Sequence, residues 1–143
     1  MKRLALAFAA GLILLSNIPT HAQNNKVADD SSAVQATVKN YIEAYYTGDA
    51  RRMEQTLHPH YLKHKIHGDI PVREQTGAQL VQDVPNGPKS IPVAQRTEQI
   101  TVLDVAGNIA SAKLVTPGWM DYMTLEKVDG AWKILSVVQK IED

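Results

Sequence analysis

The sequence predicts an α+β domain in which three amino-terminal helices pack on a curved antiparallel sheet. Two observations predict this class. The first half of the chain carries apolar residues three and four positions apart, which is the period of a helix with one buried face. The second half carries four β-rich runs separated by turn dipeptides, which is typical of hairpins. Helices followed by strands describe a domain whose helices cover one face of the sheet.

Ahead of the domain, the chain opens with the pattern of an export signal. The first three residues, Met-Lys-Arg, are cationic, the run from Leu4 to Leu15 is apolar, and Ala22 offers a small residue for cleavage. A membrane-spanning helix needs about 20 apolar residues, and this run is shorter. We therefore expect residues 1–22 to be a signal peptide that is removed. The mature protein is then exported, either to the periplasm or as a secreted protein.

Composition narrows the classes of function. The chain has 15 basic and 15 acidic residues, and Lys2 and Arg3 would leave with the signal peptide, so the mature protein is slightly acidic. Because no basic cluster exceeds two adjacent residues, we expect it to bind neither nucleic acid nor a membrane after signal cleavage. The chain contains no cysteine, which excludes disulfides and thiol catalysis. Phosphate loops and dinucleotide fingerprints are absent as well, and we expect no cofactor.

The first helix is predicted to follow a short leader. Residues 23–30 are polar and lack periodicity, so we expect them to be flexible. Ser31 or Ser32 can cap a helix that ends at Gly48, and a single domain is expected over residues 31–143. The buried face of this helix is predicted to carry Val34, Val38, Tyr41, Ile42 and Tyr45.

Two shorter helices are predicted next. Asp49 can cap a helix that carries Met53 and Leu57 on one side. Pro59 is expected to stop this helix, because a proline cannot continue the hydrogen-bond ladder. The third helix is predicted from about Thr76 to Val84, where a Pro-Asn-Gly-Pro segment ends it.

The strands are predicted from alternation and turn residues. His60–His67 is short and ambiguous, with a strand favoured. Beyond it, the turn dipeptides Gly-Asn, Pro-Gly and Asp-Gly separate four runs that we expect to form a four-stranded antiparallel meander. These runs are Thr97–Val105, Ile109–Thr116, Trp119–Val128 and Ala131–Ile141.

The run from Tyr41 to Asp49, followed by Met53 and Leu-His-Pro at 57–59, resembles the opening helices of the nuclear transport factor 2-like superfamily. That superfamily includes ketosteroid isomerase and scytalone dehydratase. Later segments look like its lumazine-binding branch, namely Leu103–Val105, Gly107–Ala110, Trp119 with Asp121-Tyr122, and Asp129–Ile134. The resemblance implies a cone-shaped fold whose sheet wraps around the helices and leaves a mostly apolar cavity. It also implies a homodimer formed through the outer face of the sheet.

Asp121 is the residue whose predicted position is most unusual. Pairing the second and third runs of the meander through their Pro-Gly turn places Leu114 opposite Asp121 and Lys113 opposite Tyr122. The carboxylate then lies on an apolar strand face, where it must be paired, hydrogen-bonded or neutralised. One interpretation makes Asp121 a partly protonated pocket group that donates to a ligand. The other makes it a structural carboxylate bonded to a helix side chain or a backbone amide.

The similarity to ketosteroid isomerase implies roles for three positions. It makes Asp121 and Tyr41 the paired oxyanion donors. It also places Lys65, or His64 with a one-residue slip, where the isomerase carries its general-base carboxylate. A lysine is protonated near neutral pH and is a poor base. This departure argues against isomerase activity and leaves open the binding of a carbonyl-bearing, ring-shaped ligand.

Four histidines lie within ten residues and raise the hypothesis of a metal site. His60 and His64 would share a strand face, but no carboxylate or cysteine accompanies them at an established spacing, and we predict no metal. We expect His58 to cap or pack beside a helix end. One of His64 and His67 is expected to line the pocket mouth, where a histidine can act as acid or base.

Aromatic residues and one lysine complete the candidates. We expect Tyr45 and Trp119 to form pocket walls and Trp132 to pack in the core. Lys113 either binds an anionic ligand or is solvated on the outer face of the sheet. The candidate ligand-binding residues are therefore Tyr41, Tyr45, His58, Tyr61, His64, Lys113, Trp119 and Asp121.

Together these patterns predict an exported protein that binds a small, apolar or heteroaromatic ligand, with Tyr41 and Asp121 as polar anchors. One alternative is a cofactor-free isomerase, dehydratase or hydrolase, in which His64 and Asp121 are the catalytic candidates. Another is a protein-interaction module whose cavity is filled by its own side chains.

Overall fold

A computed structural model describes residues 20–87 and 91–142, so residues 1–19 of the predicted signal peptide lie outside the described residues. Within these residues, two helices precede a pair of strands, and a third helix precedes four more strands. The helices are α1 Thr20–Thr47, α2 Ala50–Thr56 and α3 Gly77–Asp83. The strands are β1 Leu57–His67, β2 Ile70–Thr76, β3 Gln99–Ala106, β4 Ile109–Thr116, β5 Trp119–Val128 and β6 Ala131–Ile141. Short 3₁₀ turns at Val84–Asn86 and Val93–Gln95 lie between α3 and β3.

Helix α1 begins earlier than predicted. The structure is helical from Thr20, so the predictions of a flexible segment over residues 23–30 and of a cap at Ser31 or Ser32 are wrong. The Ser32 hydroxyl donates to the carbonyl of Ala28 at 3.0 Å, which is how a serine bonds inside a helix and not at its start. Asp30 is buried and accepts hydrogen bonds from Lys127 and from the Trp132 indole, so the polar segment is tied to the sheet.

The joint between α1 and α2 agrees with its prediction, whereas the end of α2 does not. Gly48 has a φ of +73°, a conformation that favours glycine, and the Asp49 side chain accepts from the backbone N–H of Arg52 at 2.9 Å. Leu57 is already extended and belongs to β1, so Pro59 lies inside a strand instead of stopping a helix. Proline restricts the residue before it to extended conformations, which explains why α2 ends before His58.

The sheet has six strands in the order β2-β1-β6-β5-β4-β3. Strands β3 to β6 form the predicted antiparallel meander, and Leu114 lies opposite Asp121 as expected. The sheet is mixed and not purely antiparallel, because β1 pairs with β6 in parallel. Strand β2 was not predicted; it hairpins back on β1 through the turn at Gly68-Asp69. The third helix therefore follows the first hairpin along the chain.

One face of the sheet, here called the inner face, is covered by the helices. Helix α1 packs against β3, β4 and β6. The predicted buried face of α1 is confirmed, with Tyr45 half-buried at its end. Inner-face residues of β4, β5 and β6 complete the core, among them Ala110, Ala112, Leu114, Met123, Leu125, Trp132, Ile134 and Val137. Register shifts in β1, β3 and β6 mark bulges, which bend strands and deepen the concave inner face.

Candidate ligand-binding site

A cavity of about 310 Å³ lies between α1, α3 and the inner face of the sheet. Cavities of this size accept small organic ligands. The aromatic wall, as we call its apolar side, consists of Tyr41, Ile42, Tyr45, Leu80, Trp119 and Ile141. The polar wall, on the other side, consists of Lys65, Arg73, Gln75, Asp83 and Gln139. The cavity is therefore two-sided, with an apolar surface for a ring and polar groups for orientation.

Two rings dominate the aromatic wall. Tyr45 and Trp119 meet edge to face, with ring centroids 5.6 Å apart and planes at 80°, which is a favourable aromatic geometry. Gly87 lies against the Tyr45 ring so closely that a Cβ atom there would be 2.9 Å from it. The absence of a side chain at Gly87 thus allows Tyr45 to keep its place beside the cavity.

A network of four buried polar side chains lies beneath the aromatic wall. We call Tyr41, Tyr61, Lys63 and Asp121 the buried quartet. Lys63 Nζ donates to the Tyr41 hydroxyl at 3.1 Å and to Asp121 Oδ2 at 3.5 Å. The hydroxyls of Tyr41 and Tyr61 are 3.4 Å apart. Asp121 is 0% exposed and Lys63 is 4% exposed, so the two charges face each other out of water.

Burial sets the protonation of the Lys63–Asp121 pair. It raises the pKa of the Asp121 carboxyl above its ordinary value, and the neighbouring ammonium opposes that shift. Burial likewise lowers the pKa of the Lys63 amine, and Asp121 opposes that shift. Each group favours the charged form of the other, so the two titrate as one unit. Removing either partner would leave the other buried without a countercharge.

Asp121 retains unused hydrogen-bonding capacity. Its Oδ1 atom has no hydrogen-bond partner among the described residues. The side chains of Gln139 and Trp119, which line the cavity, lie close enough to lower its pKa. The carboxylate therefore influences the cavity through its neighbours, although it does not line the cavity itself.

Tyr41 links the buried quartet to the cavity. Burial raises the pKa of its hydroxyl well above the ordinary value, so the phenol stays protonated in the physiological range. Because Lys63 donates to the Tyr41 oxygen, the phenolic proton is available to the Tyr61 oxygen or to a ligand. Tyr41 is the member of the quartet that also lines the cavity.

Sequence reasoning missed Lys63, although a signal for it exists. In a strand, alternate residues share a face, so Tyr61, Lys63 and Lys65 all point to the inner side. The structure buries Tyr61 and Lys63 and half-buries Lys65. The resemblance assigned Lys65 or His64 to the base position and named no partner for the carboxylate, and the structure shows that this partner is Lys63. A lysine two residues after a tyrosine expected in the pocket could have indicated it.

The structure gathers some predicted residues at the cavity and separates others. Tyr41, Tyr45 and Trp119 line it, whereas Tyr61 and Asp121 lie beneath the aromatic wall. Tyr41 and Asp121 were expected to act side by side as donors to a ligand. In the structure the Lys63 ammonium contacts both of them and so links one to the other.

His58, His64 and Lys113 lie outside the cavity. His58 Nε2 is 3.3 Å from a carboxylate oxygen of Glu126, and its Nδ1 accepts from the backbone N–H of His60. Both ring nitrogens are therefore engaged. His64 projects from the outer side of β1, with Nε2 3.3 Å from a carboxylate oxygen of Glu74.

Lys113 is also on the outer face of the sheet. Its Nζ lies 5.4 Å from the centroid of the exposed Tyr122 ring. This position agrees with the solvated lysine that was one of the two interpretations, and it separates Lys113 from any anion in the cavity.

Within residues 20–87 and 91–142, no group of three or more histidine, cysteine, aspartate or glutamate side chains could hold a metal ion. In the same part of the chain, no helix has both the length and the apolar content needed to cross a membrane.

A model of the family described as Putative lumazine-binding matches residues 29–139. The match includes α1 from its tenth residue onward and nearly all of the sheet. No curated protein sequence matches the chain.

Solved structures share the fold. An NTF2-like protein of unknown function from Silicibacter pomeroyi is 18% identical, the match covers 80% of this chain and 98% of that one, and the TM-score is 0.70. An NTF2-like protein of unknown function from Shewanella baltica is 18% identical; the match covers 88% of this chain and 99% of that one, with a TM-score of 0.62. A ketosteroid isomerase-like protein from Erwinia carotovora atroseptica is 11% identical; the match covers 80% of this chain and 97% of that one, with a TM-score of 0.55. The predicted superfamily is confirmed, and the fold is the NTF2-like one, with helices and a curved, mixed, six-stranded sheet.

Proposed function

This chain belongs to the Putative lumazine-binding family, and we propose that it is an exported small-molecule-binding protein that holds a ring-shaped ligand in the cavity between α1 and the inner sheet face. The observation that carries the proposal is the cavity itself, which the protein's own side chains leave open. A filled cavity would have favoured the interaction module. The pattern of residues 1–22 supports export.

The chemistry of the walls supports a ring with a polar edge. Tyr45 and Trp119 offer ring faces and edges against which an aromatic or heteroaromatic ligand can pack. The Tyr41 hydroxyl can donate to a carbonyl oxygen of such a ring. Its own position is fixed by Lys63, which in turn contacts Asp121. Tyr41 is thus the direct anchor in this proposal, and Asp121 acts through the lysine.

Binding is tested by calorimetric titration of the purified protein with lumazine, riboflavin and progesterone. We expect at least one compound to bind, and we expect Tyr45→Leu and Trp119→Leu each to weaken its affinity by about tenfold, because each removes an aromatic contact worth roughly 1.4 kcal/mol. All three compounds carry carbonyl groups, so Tyr41→Phe should weaken the binding of whichever of them accepts a hydrogen bond from the Tyr41 hydroxyl.

The matched control for Trp119 is Tyr122→Leu, an aromatic replacement on the same strand. Tyr122 lies on the opposite sheet face and does not line the cavity, so this variant should bind like the parent. Failure of all three compounds to bind, or equal losses in the Trp119 and Tyr122 variants, would count against the proposal.

We also propose that the protein is a homodimer formed through the outer sheet face. Ile66, Tyr122 and Val138 are exposed there, at 38%, 48% and 45%, and adjacent strands bring Tyr122 opposite Val138. Sedimentation velocity should show a dimer for the parent and a monomer for Tyr122→Glu, which places a charge in the apolar contact. A parent that sediments as a monomer at all concentrations would refute this part.

A further inference from the structure

The polar wall of the cavity presents two neighbouring cations. Lys65 on β1 and Arg73 on β2 are directly opposite each other in the strand register, and both line the cavity. Lys65 is half-buried, while Arg73 is exposed at the mouth. Like charges directly opposite on one sheet face repel each other. Burial lowers the pKa of the Lys65 amine, and the neighbouring arginine adds to that shift.

Neither cation has a carboxylate partner in contact among the residues that the structure describes. Within the part of the chain that the structure describes, the ion pairs include neither Lys65 nor Arg73. Asp83 is near enough to favour the charged form of Lys65, but its Oδ2 accepts from Gln75 Nε2 at 2.7 Å. Glu74 points to the outer face and contacts His64. Among the charged side chains that line the cavity, the two cations Lys65 and Arg73 thus face one carboxylate, Asp83.

Gln75 supplies a second, independent observation. Its side chain is 7% exposed and lines the cavity between the two cations and Asp83. The bond to Asp83 fixes the orientation of the amide, because only its NH₂ group can donate to a carboxylate. The amide oxygen, Oε1, is buried and has no donor among the described residues. Buried acceptors are normally satisfied, so this oxygen is open to a donor from a water molecule or a ligand.

Resting on the ligand-binding function above, we propose that the ligand is a small ring-shaped organic acid. Its ring packs on the aromatic wall, and its anionic group lies at the mouth between Lys65 and Arg73. A carboxylate or phosphate there accepts charge-assisted hydrogen bonds from both side chains and relieves their repulsion. A hydroxyl or N–H group beside the anion donates to Gln75 Oε1. The polar wall therefore selects ligands by charge, while the aromatic wall selects them by shape.

The inference is tested with a matched pair of probes, 2-naphthoate and 2-naphthamide, which share a ring and differ in charge. We expect calorimetry on the purified protein to show the acid binding about tenfold more tightly than the amide. Arg73→Gln and Lys65→Met should each lower the affinity for the acid by about tenfold and leave the affinity for the amide unchanged. Lys140→Gln, which removes an exposed cation on the outer side of β6, should change neither.

The outcomes separate this inference from the proposed function. Equal binding of acid and amide, both weakened by Trp119→Leu, would overturn the organic acid and preserve the ligand-binding cavity. A preference for the acid that survives both Arg73→Gln and Lys65→Met would also overturn it, because the anion would then bind elsewhere. Binding of neither probe would overturn the organic acid alone if lumazine, riboflavin or progesterone binds in the cavity, and both proposals if none of them does. A third probe, 2-naphthyl phosphate, distinguishes a carboxylate ligand from a phosphate ligand. It has the same ring as 2-naphthoate, so the tighter-binding probe of the two carries the anionic group that fits the mouth better.

Discussion

Replacing Lys63 by methionine, or Asp121 by leucine, is expected to lower the free energy of unfolding by about 3–5 kcal/mol, the cost of removing one partner from a buried ion pair. Both side chains are nearly inaccessible to water, so the partner that remains cannot be solvated. The loss is measured by urea denaturation at neutral pH. Lys39→Met is the matched control, because its ammonium forms an exposed pair with Glu43 and such pairs contribute about 0–1 kcal/mol.

The double variant Lys63→Met with Asp121→Leu decides whether the pair acts as one unit. It leaves no charge unpaired, so we expect it to lose clearly less stability than the sum of the two single variants. Additive losses would mean that the 3.5 Å contact between Nζ and Oδ2 carries no coupling energy. In that case the buried quartet would be four separate residues and not a network.

The second large effect is an opposite response of the two single variants to pH. In Lys63→Met, burial raises the pKa of Asp121 with no ammonium to oppose it, so the folded state keeps a proton that the unfolded state releases. Its stability relative to the parent should be highest below the ordinary carboxyl value near 4 and should fall as the pH rises through the raised folded value.

Asp121→Leu should respond in the other direction. Burial lowers the pKa of Lys63, so the folded state gives up a proton that the unfolded state retains up to about pH 10.4. Stability relative to the parent should therefore rise with pH in the window below that value. The slope is at most about 1.4 kcal/mol per pH unit in either variant.

Unfolding free energies measured from about pH 5 to about pH 9 give both slopes, and subtracting the parent at each pH removes the contribution of other groups. Two variants with the same slope would contradict the assignment of the charges.

The carboxylate of the buried quartet could be predicted from the sequence because its strand pairing is local. A Pro-Gly turn fixes the register of β4 and β5, and the register fixes the face on which Asp121 lies. Burial of Tyr41 followed in the same way from the helical period of α1. Both positions depend on residues that are close in the chain, and for this reason the sequence pattern predicts them.

The ammonium of the quartet could not be predicted with the same arguments. Lys63 meets Asp121 because β1 pairs in parallel with β6, a contact between segments far apart in the chain. Pro59 looked like the end of a helix, and the strand that contains it was therefore placed too late. The resemblance to an isomerase then directed attention to His64 and Lys65, which follow Lys63 in the sequence, whereas the ion pair with the carboxylate is formed by Lys63.

The polar wall was missed because β2 lacks a strand pattern. Only Gln75 is buried in Ile70–Thr76, and the other side chains are exposed, so no apolar alternation marks this edge strand. The amino-terminal part of α1 was missed for a similar reason. Its polar residues are held by the contacts of Asp30 with Lys127 and Trp132, which no local pattern indicates.

A crystal structure of the protein with bound 2-naphthoate tests most directly whether the cavity between α1 and the sheet is the ligand site. We expect the ring beside Tyr45 and Trp119, the carboxylate within hydrogen-bond distance of Lys65 or Arg73, and the contact between Lys63 and Asp121 intact beneath it. Naphthoate bound on the outer sheet face, with the cavity closed by the protein's own side chains, would contradict the assignment.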